Sequence, residues 1–144
     1  GILKICEIEA KIHPSLNKDL LVAGAILHDI GKIDEFKVTS NIKQSEKGML
    51  LSHVGIGFQK VSNAINKIET FPEVLKNKLL HMIISHHGKL EYGALVKPTF
   101  PEAAVLHYAD MMDSQVTQYI RLKKDVETED FRTYSRDLGS IYLK

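Results

Sequence analysis

Apolar residues recur at helical spacing in several stretches of the chain, and turn-forming residues separate them. In residues 2–12, Leu3, Ile5, Ile8 and Ile12 predict a first helix. His13-Pro14-Ser15 stops it, because proline disfavours helical geometry in the residue before it. The next stretch is almost wholly apolar, with Leu20, Leu21, Val22, Ala23, Ala25, Ile26, Leu27 and Ile30. A helix with so little polar face belongs in the interior. Ser15 or Asn17 can cap it, it should run to about Ile30, and Gly31 then lets the chain turn. Residues 33–45 are polar apart from Phe36, Val38 and Ile42, which suits a loop with room for a short extended pair. From Gly48 onward, Leu50, Val54, Phe58, Val61, Ile65 and Ile68 step by three and four, the mark of an amphipathic helix with His53 at the edge of its stripe. Gly55 and Gly57 weaken that helix, and close approach of a neighbouring helix would explain them.

Phe71-Pro72 opens another helix with Leu75, Leu79 and Ile83 along its inner stripe, and Gly88 ends it. Residues 88–98 form a glycine-containing loop that holds Glu91, Tyr92 and Lys97. Thr99-Phe100-Pro101-Glu102 has capping-box spacing. The helix it starts carries Ala103, Leu106, Asp110, Asp113, Thr117 and Ile120 on one side and should run to about Val126. Phe131, Tyr134, Leu138, Ile141 and Tyr142, in the tail 127–144, suggest a last helix on the body. The pattern is that of an all-α bundle of five to seven helices, with a short irregular insertion after the His28-Asp29 pair.

Composition narrows the class. The 144 residues are 44% hydrophobic and 26% charged, which suits one globular domain with a real core. Nineteen Lys and Arg against 18 Asp and Glu leave a net charge of +1, too little for a sequence-blind polyanion binder, so any contact with a polyanion must come from a local patch or a metal. The single cysteine, Cys6, excludes an internal disulfide framework, fits a reducing, cytoplasmic setting, and reads as a small buried apolar residue. No apolar run reaches the length of a membrane span, and no signal peptide is expected. The chain opens inside a helix, which suggests one piece of a longer protein.

Four of the helices each offer metal-ligand side chains at a buried end or on an inner stripe. These are His28-Asp29, His53, His86-His87 and Asp110. Singly, each has an ordinary structural explanation: a buried hydrogen-bonded His, a surface-edge His, cations favoured at a helix C-terminus, an Asp paired with His107 one turn earlier. Their joint occurrence points elsewhere, because helical bundles build metal sites from inward ligands on several facing helices. Imidazoles and carboxylates suit manganese, iron, cobalt or zinc better than calcium, and one Asp between two ions can bridge them.

The order His28-Asp29, His53, His86-His87, Asp110 resembles the HD superfamily of metal-dependent phosphohydrolases. Three stretches narrow the resemblance: Gly24-Ala25-Ile26-Leu27-His28-Asp29-Ile30-Gly31-Lys32, Ser85-His86-His87-Gly88-Lys89-Leu90-Glu91-Tyr92-Gly93 and Ala109-Asp110-Met111-Met112-Asp113. Together they are similar to the HD domain of the YhaM-type 3′→5′ exoribonucleases. The resemblance implies a single HD domain over residues 1–144 and hydrolysis of phosphodiester bonds in single-stranded RNA or DNA. It also implies two divalent metal ions, manganese foremost, with iron, cobalt, zinc or magnesium as alternatives. Asp29 would contact both ions. His28 and Asp110 would serve one, and His53, His86 and His87 the other. Lys32 would act with Asp29 in catalysis by holding a phosphate oxygen. Asp113, His81 and His107 stay outside the site.

The chain departs from the family in two respects. A further upstream metal-binding His has no counterpart, since His13 sits at the wrong end of its helix, and the N-terminal OB-fold of longer members is missing. A truncated N-terminus is therefore expected. Two rivals remain open. One is an HD enzyme acting on nucleotides or cyclic dinucleotides, although the glycine-tyrosine-proline signature of the latter group is absent. The other is a metal-binding regulatory module without activity, with a plain helical interaction domain behind it.

Overall fold

The computed structural model describes residues 1–126 and 130–144. In chain order these form α1 (Ile2–Ile12), α2 (Lys18–Leu27), the single-turn α3 (Lys32–Glu35), an antiparallel hairpin of β1 (Phe36–Val38) and β2 (Ile42–Gln44), then α4 (Glu46–Ile65), α5 (Glu73–Ser85) and α6 (Pro101–Asp125), and a second hairpin of β3 (Arg132–Ser135) and β4 (Gly139–Tyr142). The chain is mostly helical, in keeping with the bundle expected, and the insertion after His28-Asp29 is the α3 turn with its hairpin. Two compact units are distinguished, Gly1–Asp110 and Met111–Lys144.

In the first unit, Cys6 of α1, Leu20, Leu21 and Ala25 of α2, Val61 and Ile65 of α4, Leu79, Leu80, Met82 and Ile83 of α5, and Ala103, Leu106 and Ala109 of α6 form one buried cluster. Cys6 lies in that core, and burial pushes its thiol up to about 11, so it behaves as the apolar residue its context suggests. Asn17 rather than Ser15 caps α2, its side chain accepting from the Leu20 N–H at 3.0 Å. The Asn17 N–H in turn donates to Glu102 at 2.8 Å. The expected capping box at α6 is therefore not formed. Glu102 is drawn away to tie the start of α6 to the start of α2, and the Thr99 N–H donates to His81 Nε2 instead.

Three further expectations need correction. First, α2 ends at Leu27 rather than near Ile30, and a tight turn leads into α3. Gly31 in that turn has an ordinary right-handed φ of −67°. What it supplies is space, since a Cβ there would lie 1.9 Å from the His53 carbonyl oxygen. The close approach expected at Gly55 and Gly57 belongs to Gly31, for a Cβ on either of the other two meets only ordinary contacts. Second, Leu50 is 74% exposed and Ile68 lies past the end of α4. The apolar stripe fails before His53 because α4 kinks at Ser52, whose φ of 51° and ψ of 167° break the helical phase.

Third, residues 130–144 carry a hairpin rather than a helix, with Thr133 opposite Ile141 and Tyr134 opposite Ser140. Thr, Tyr and Ile favour strands, and Gly139 takes the positive φ of 72° at which the chain returns. Residues 127–129, assigned to the same helix, lie outside the described residues. Among the described residues no helix is long and apolar enough to cross a membrane.

Replacing Gly31 with Ala must push backbone against backbone. Gly31→Ala should lower the free energy of unfolding by about 1–3 kcal/mol, the usual range for overpacking. Gly55→Ala, whose Cβ would make only an ordinary contact with Leu51, should be neutral or stabilise by up to about 1 kcal/mol through helix propensity. Urea denaturation of the two variants checks both.

Candidate metal centre

All the candidate side chains but Asp110 sit where a helix stops or bends. His28 caps the end of α2 and Asp29 follows it. His53 comes directly after the kink in α4. His86 caps α5 with His87 next to it, and Asp110 lies on α6. These breaks bring together side chains that are 82 positions apart in the chain at most. Asp29 is at the centre. Its Oδ2 lies 3.5 Å from His28 Nε2, and its Oδ1 lies 3.6 Å from His53 Nε2 and 3.8 Å from His86 Nε2. His53 Nε2 and His87 Nε2 are 3.0 Å apart, and Asp110 Oδ1 lies 4.0 Å from His28 Nε2. Lys32, one turn beyond His28, reaches Asp29 Oδ2 at 2.6 Å.

The outer nitrogen of every imidazole in the group has an acceptor. His28 Nδ1 donates to the Ala25 carbonyl at 3.1 Å, and His86 Nδ1 to the Ile83 carbonyl at 2.7 Å. His87 Nδ1 donates to the Tyr92 carbonyl, and His53 Nδ1 to Glu35 Oε2 at 2.9 Å. A proton held on Nδ1 leaves a lone pair on Nε2. The Nε2 atoms of His28, His53 and His86 thus face the Asp29 carboxylate as electron-pair donors, and that of His87 faces His53.

Burial disfavours the charged form of two of these rings, His86 and His53. It pushes His86 down to about 3, with the neighbouring His87 and His28 acting in the same direction. Burial also lowers His53, more than Glu35 and Asp29 restore it. For Asp29 burial pushes the pKa up, but the Lys32 hydrogen bond and the charges of His28, Lys32 and His86 outweigh it and hold the carboxyl below its ordinary value.

The donor set fits a divalent cation. His28 Nε2, Asp29 Oδ1 and His86 Nε2 are buried without a hydrogen-bond partner. Such atoms are costly to leave unsatisfied, and a metal ion satisfies them together. The facing lone pairs of His53 and His87 would repel at 3.0 Å. A cation between them would turn that repulsion into shared ligation. His53, His86 and His87 each offer a ligand atom within 4.8 Å of the others.

Two contributors, Glu35 and Ser52, escaped the reading of the chain, and a third, His107, keeps its place outside the ligand set as a structural support. Glu35 is buried and bonded to His53, although the polar run around it resembles a loop. Ser52 supplies the kink. His107 donates from Nδ1 to the His86 carbonyl at 2.8 Å, and its ring lies where a Cβ on Gly88 would be. That contact, with a Gly88 φ of 76°, accounts for the glycine after the paired histidines.

A family model of the HD domain matches residues 1–115. The chain belongs to the HD domain family. HD domains bind divalent metals, and the His53, His86 and His87 cluster is able to hold one. Over 99% of its length this HD domain is 35% identical to the 3'-5' exoribonuclease YhaM of Geobacillus sp. (strain WCH70), covering 44% of that protein. It is 34% identical to the protein of the same name from Bacillus subtilis (strain 168) and 33% to that of Listeria monocytogenes serovar 1/2a, covering 46% of each. The HD domain thus spans less than half the length of the curated relatives it matches. No solved structure matches it.

The Ser52 backbone lies in a region that side-chain-bearing residues seldom occupy, at a cost on the order of 1–3 kcal/mol. Ser52→Gly should therefore hold or raise the melting temperature, whereas Ser52→Val should lower it by several degrees. Thermal unfolding by circular dichroism reads both.

Proposed function

We propose that this HD domain is a divalent-metal-dependent phosphohydrolase that removes nucleotides from the 3′ ends of single-stranded RNA. The observation that carries the chemistry is Asp29, one oxygen toward His28 and the other toward His53 and His86. A carboxylate so placed is suited to join two ions. The RNA substrate and the direction of attack come from the relatives, which bear the name 3'-5' exoribonuclease.

In this reading His28, Asp29 and Asp110 hold one ion, and Asp29, His53, His86 and His87 hold the other. Bound divalent ions supply an activated water and offset charge on the attacking and leaving oxygens. The mixed imidazole and carboxylate set suits a divalent transition metal; the family resemblance puts manganese foremost, with iron, cobalt, zinc or magnesium as alternatives.

The side chains have further tasks. The Nδ1 bonds fix each ring so that no reorientation is needed when substrate arrives, which is where preorganised sites gain most. Lys32 Nζ, half exposed and anchored on Asp29, is placed to take a non-bridging phosphate oxygen and stabilise charge in the transition state. Single-stranded RNA and one buried cysteine suit a cytoplasmic setting.

His28→Ala and Asp29→Asn should each lose bound manganese, read by elemental analysis. Each should also lower turnover of single-stranded RNA and of bis(p-nitrophenyl) phosphate by at least about 100-fold. Retention of both metal and turnover would overturn the assignment. Chelation should lower the melting temperature as well, since an ion at 100 times its dissociation constant adds about 2.7 kcal/mol to the native state. Preference for RNA over DNA and mononucleotides, measured on the same preparation, separates this reading from that of a nucleotide hydrolase.

A further inference from the structure

We infer that Glu35 is a positioning residue for the metal centre, and that the β1–β2 hairpin is the device that sets it. The inference rests on the metal reading above but concerns a residue outside the ligand set.

Glu35 is 6% exposed, a burial that costs a carboxylate dearly unless it is paired. Its Oε2 lies 2.9 Å from His53 Nδ1, where it fixes the ring's tautomer and angle and raises the basicity of Nε2. The other three imidazoles hang from main-chain carbonyls, and His53 alone depends on a side chain.

The surroundings hold Glu35 from both directions. Its N–H donates to the Gly31 carbonyl at 3.0 Å, and its carbonyl accepts from the Ser45 N–H at 2.8 Å. Ser45 Oγ donates to the Asp34 carbonyl at 2.7 Å and accepts from the Gly48 N–H at 2.9 Å. Gly48 packs so closely that a Cβ would sit 2.4 Å from the Glu35 carbonyl oxygen. The hairpin fills residues 36–44 between these two clasps, with Phe36 paired to Gln44. It therefore closes a loop that seats the first turn of α4 on Glu35, while the Ser52 kink further along α4 returns His53 to the Glu35 carboxylate. Two separate stretches of α4 meet the same residue, which fixes the ring relative to Asp29.

The test uses the whole chain with Glu35→Ala and Glu35→Gln. Imidazole nitrogen shifts, read by NMR on protein freed of metal with a chelator, report the His53 tautomer. Manganese affinity is read by calorimetry. In the starting protein His53 should carry its proton on Nδ1. Glu35→Ala should release the ring toward the other tautomer and weaken manganese binding about 10–100-fold, the usual effect of removing a partner behind a ligand. Glu35→Gln keeps an acceptor oxygen of the same reach and should restore the tautomer and most of the affinity. Should Glu35→Ala not fold, Glu35→Asp withdraws the carboxylate by one methylene and reads the same two quantities. An unchanged tautomer together with unchanged affinity would overturn the inference. A chain that takes up no manganese while His53 still answers to Glu35 would sink the metal reading and leave the positioning role standing.

Discussion

The constraint on which the first unit turns is the placing of one half-buried carboxylate among imidazoles that keep their lone pairs pointed inward. Asp29, His28 and His86 each retain a buried polar atom without a hydrogen-bond partner. A fold keeps such atoms when something beyond folding requires them, because leaving them unsatisfied costs free energy. The rest of the unit follows from that demand. Cys6, Leu21, Met82, Ile83 and Leu106 build a core that brings the ends of α2 and α5 together, and α4 bends so that His53 joins them.

Much of this was legible in the chain. The apolar block from Leu20 to Leu27 marked the inner helix, and four groups of ligand-type side chains, each at a buried helix end or on an inner stripe, were too many for coincidence. The geometry brings them to one place. Their order along the chain was enough to indicate the HD family, which the match over residues 1–115 bears out.

What escaped had physical reasons. The Ser52 kink leaves no trace in a periodicity count, since Leu50 and Val54 keep helical spacing in sequence while the backbone between them changes phase. Glu35 sat in a polar stretch where an acid ordinarily meets water, and only the tertiary contact with His53 reveals its burial. Glu102 had the spacing of a capping box, but the nearby Asn17 N–H was the better donor. In residues 130–144 the spacing of apolar side chains suggested a helix, while strand-favouring Thr133, Tyr134 and Ile141 and a positive-φ Gly139 decided for a hairpin.

His28 and His86 owe their orientation to the points at which α2 and α5 stop. The last carbonyls of any α-helix lack donors from within it. Ala25 and Ile83 belong to the final turns of α2 and α5, and each accepts from the imidazole three residues on. Helix termination thereby does chemical duty, because the carbonyl set free by stopping is the one that chooses which ring nitrogen keeps its electrons. The lengths of α2 and α5 are thus as much a part of the centre as the histidines themselves, and a chain that wound one turn further would lose the donors without changing a single letter.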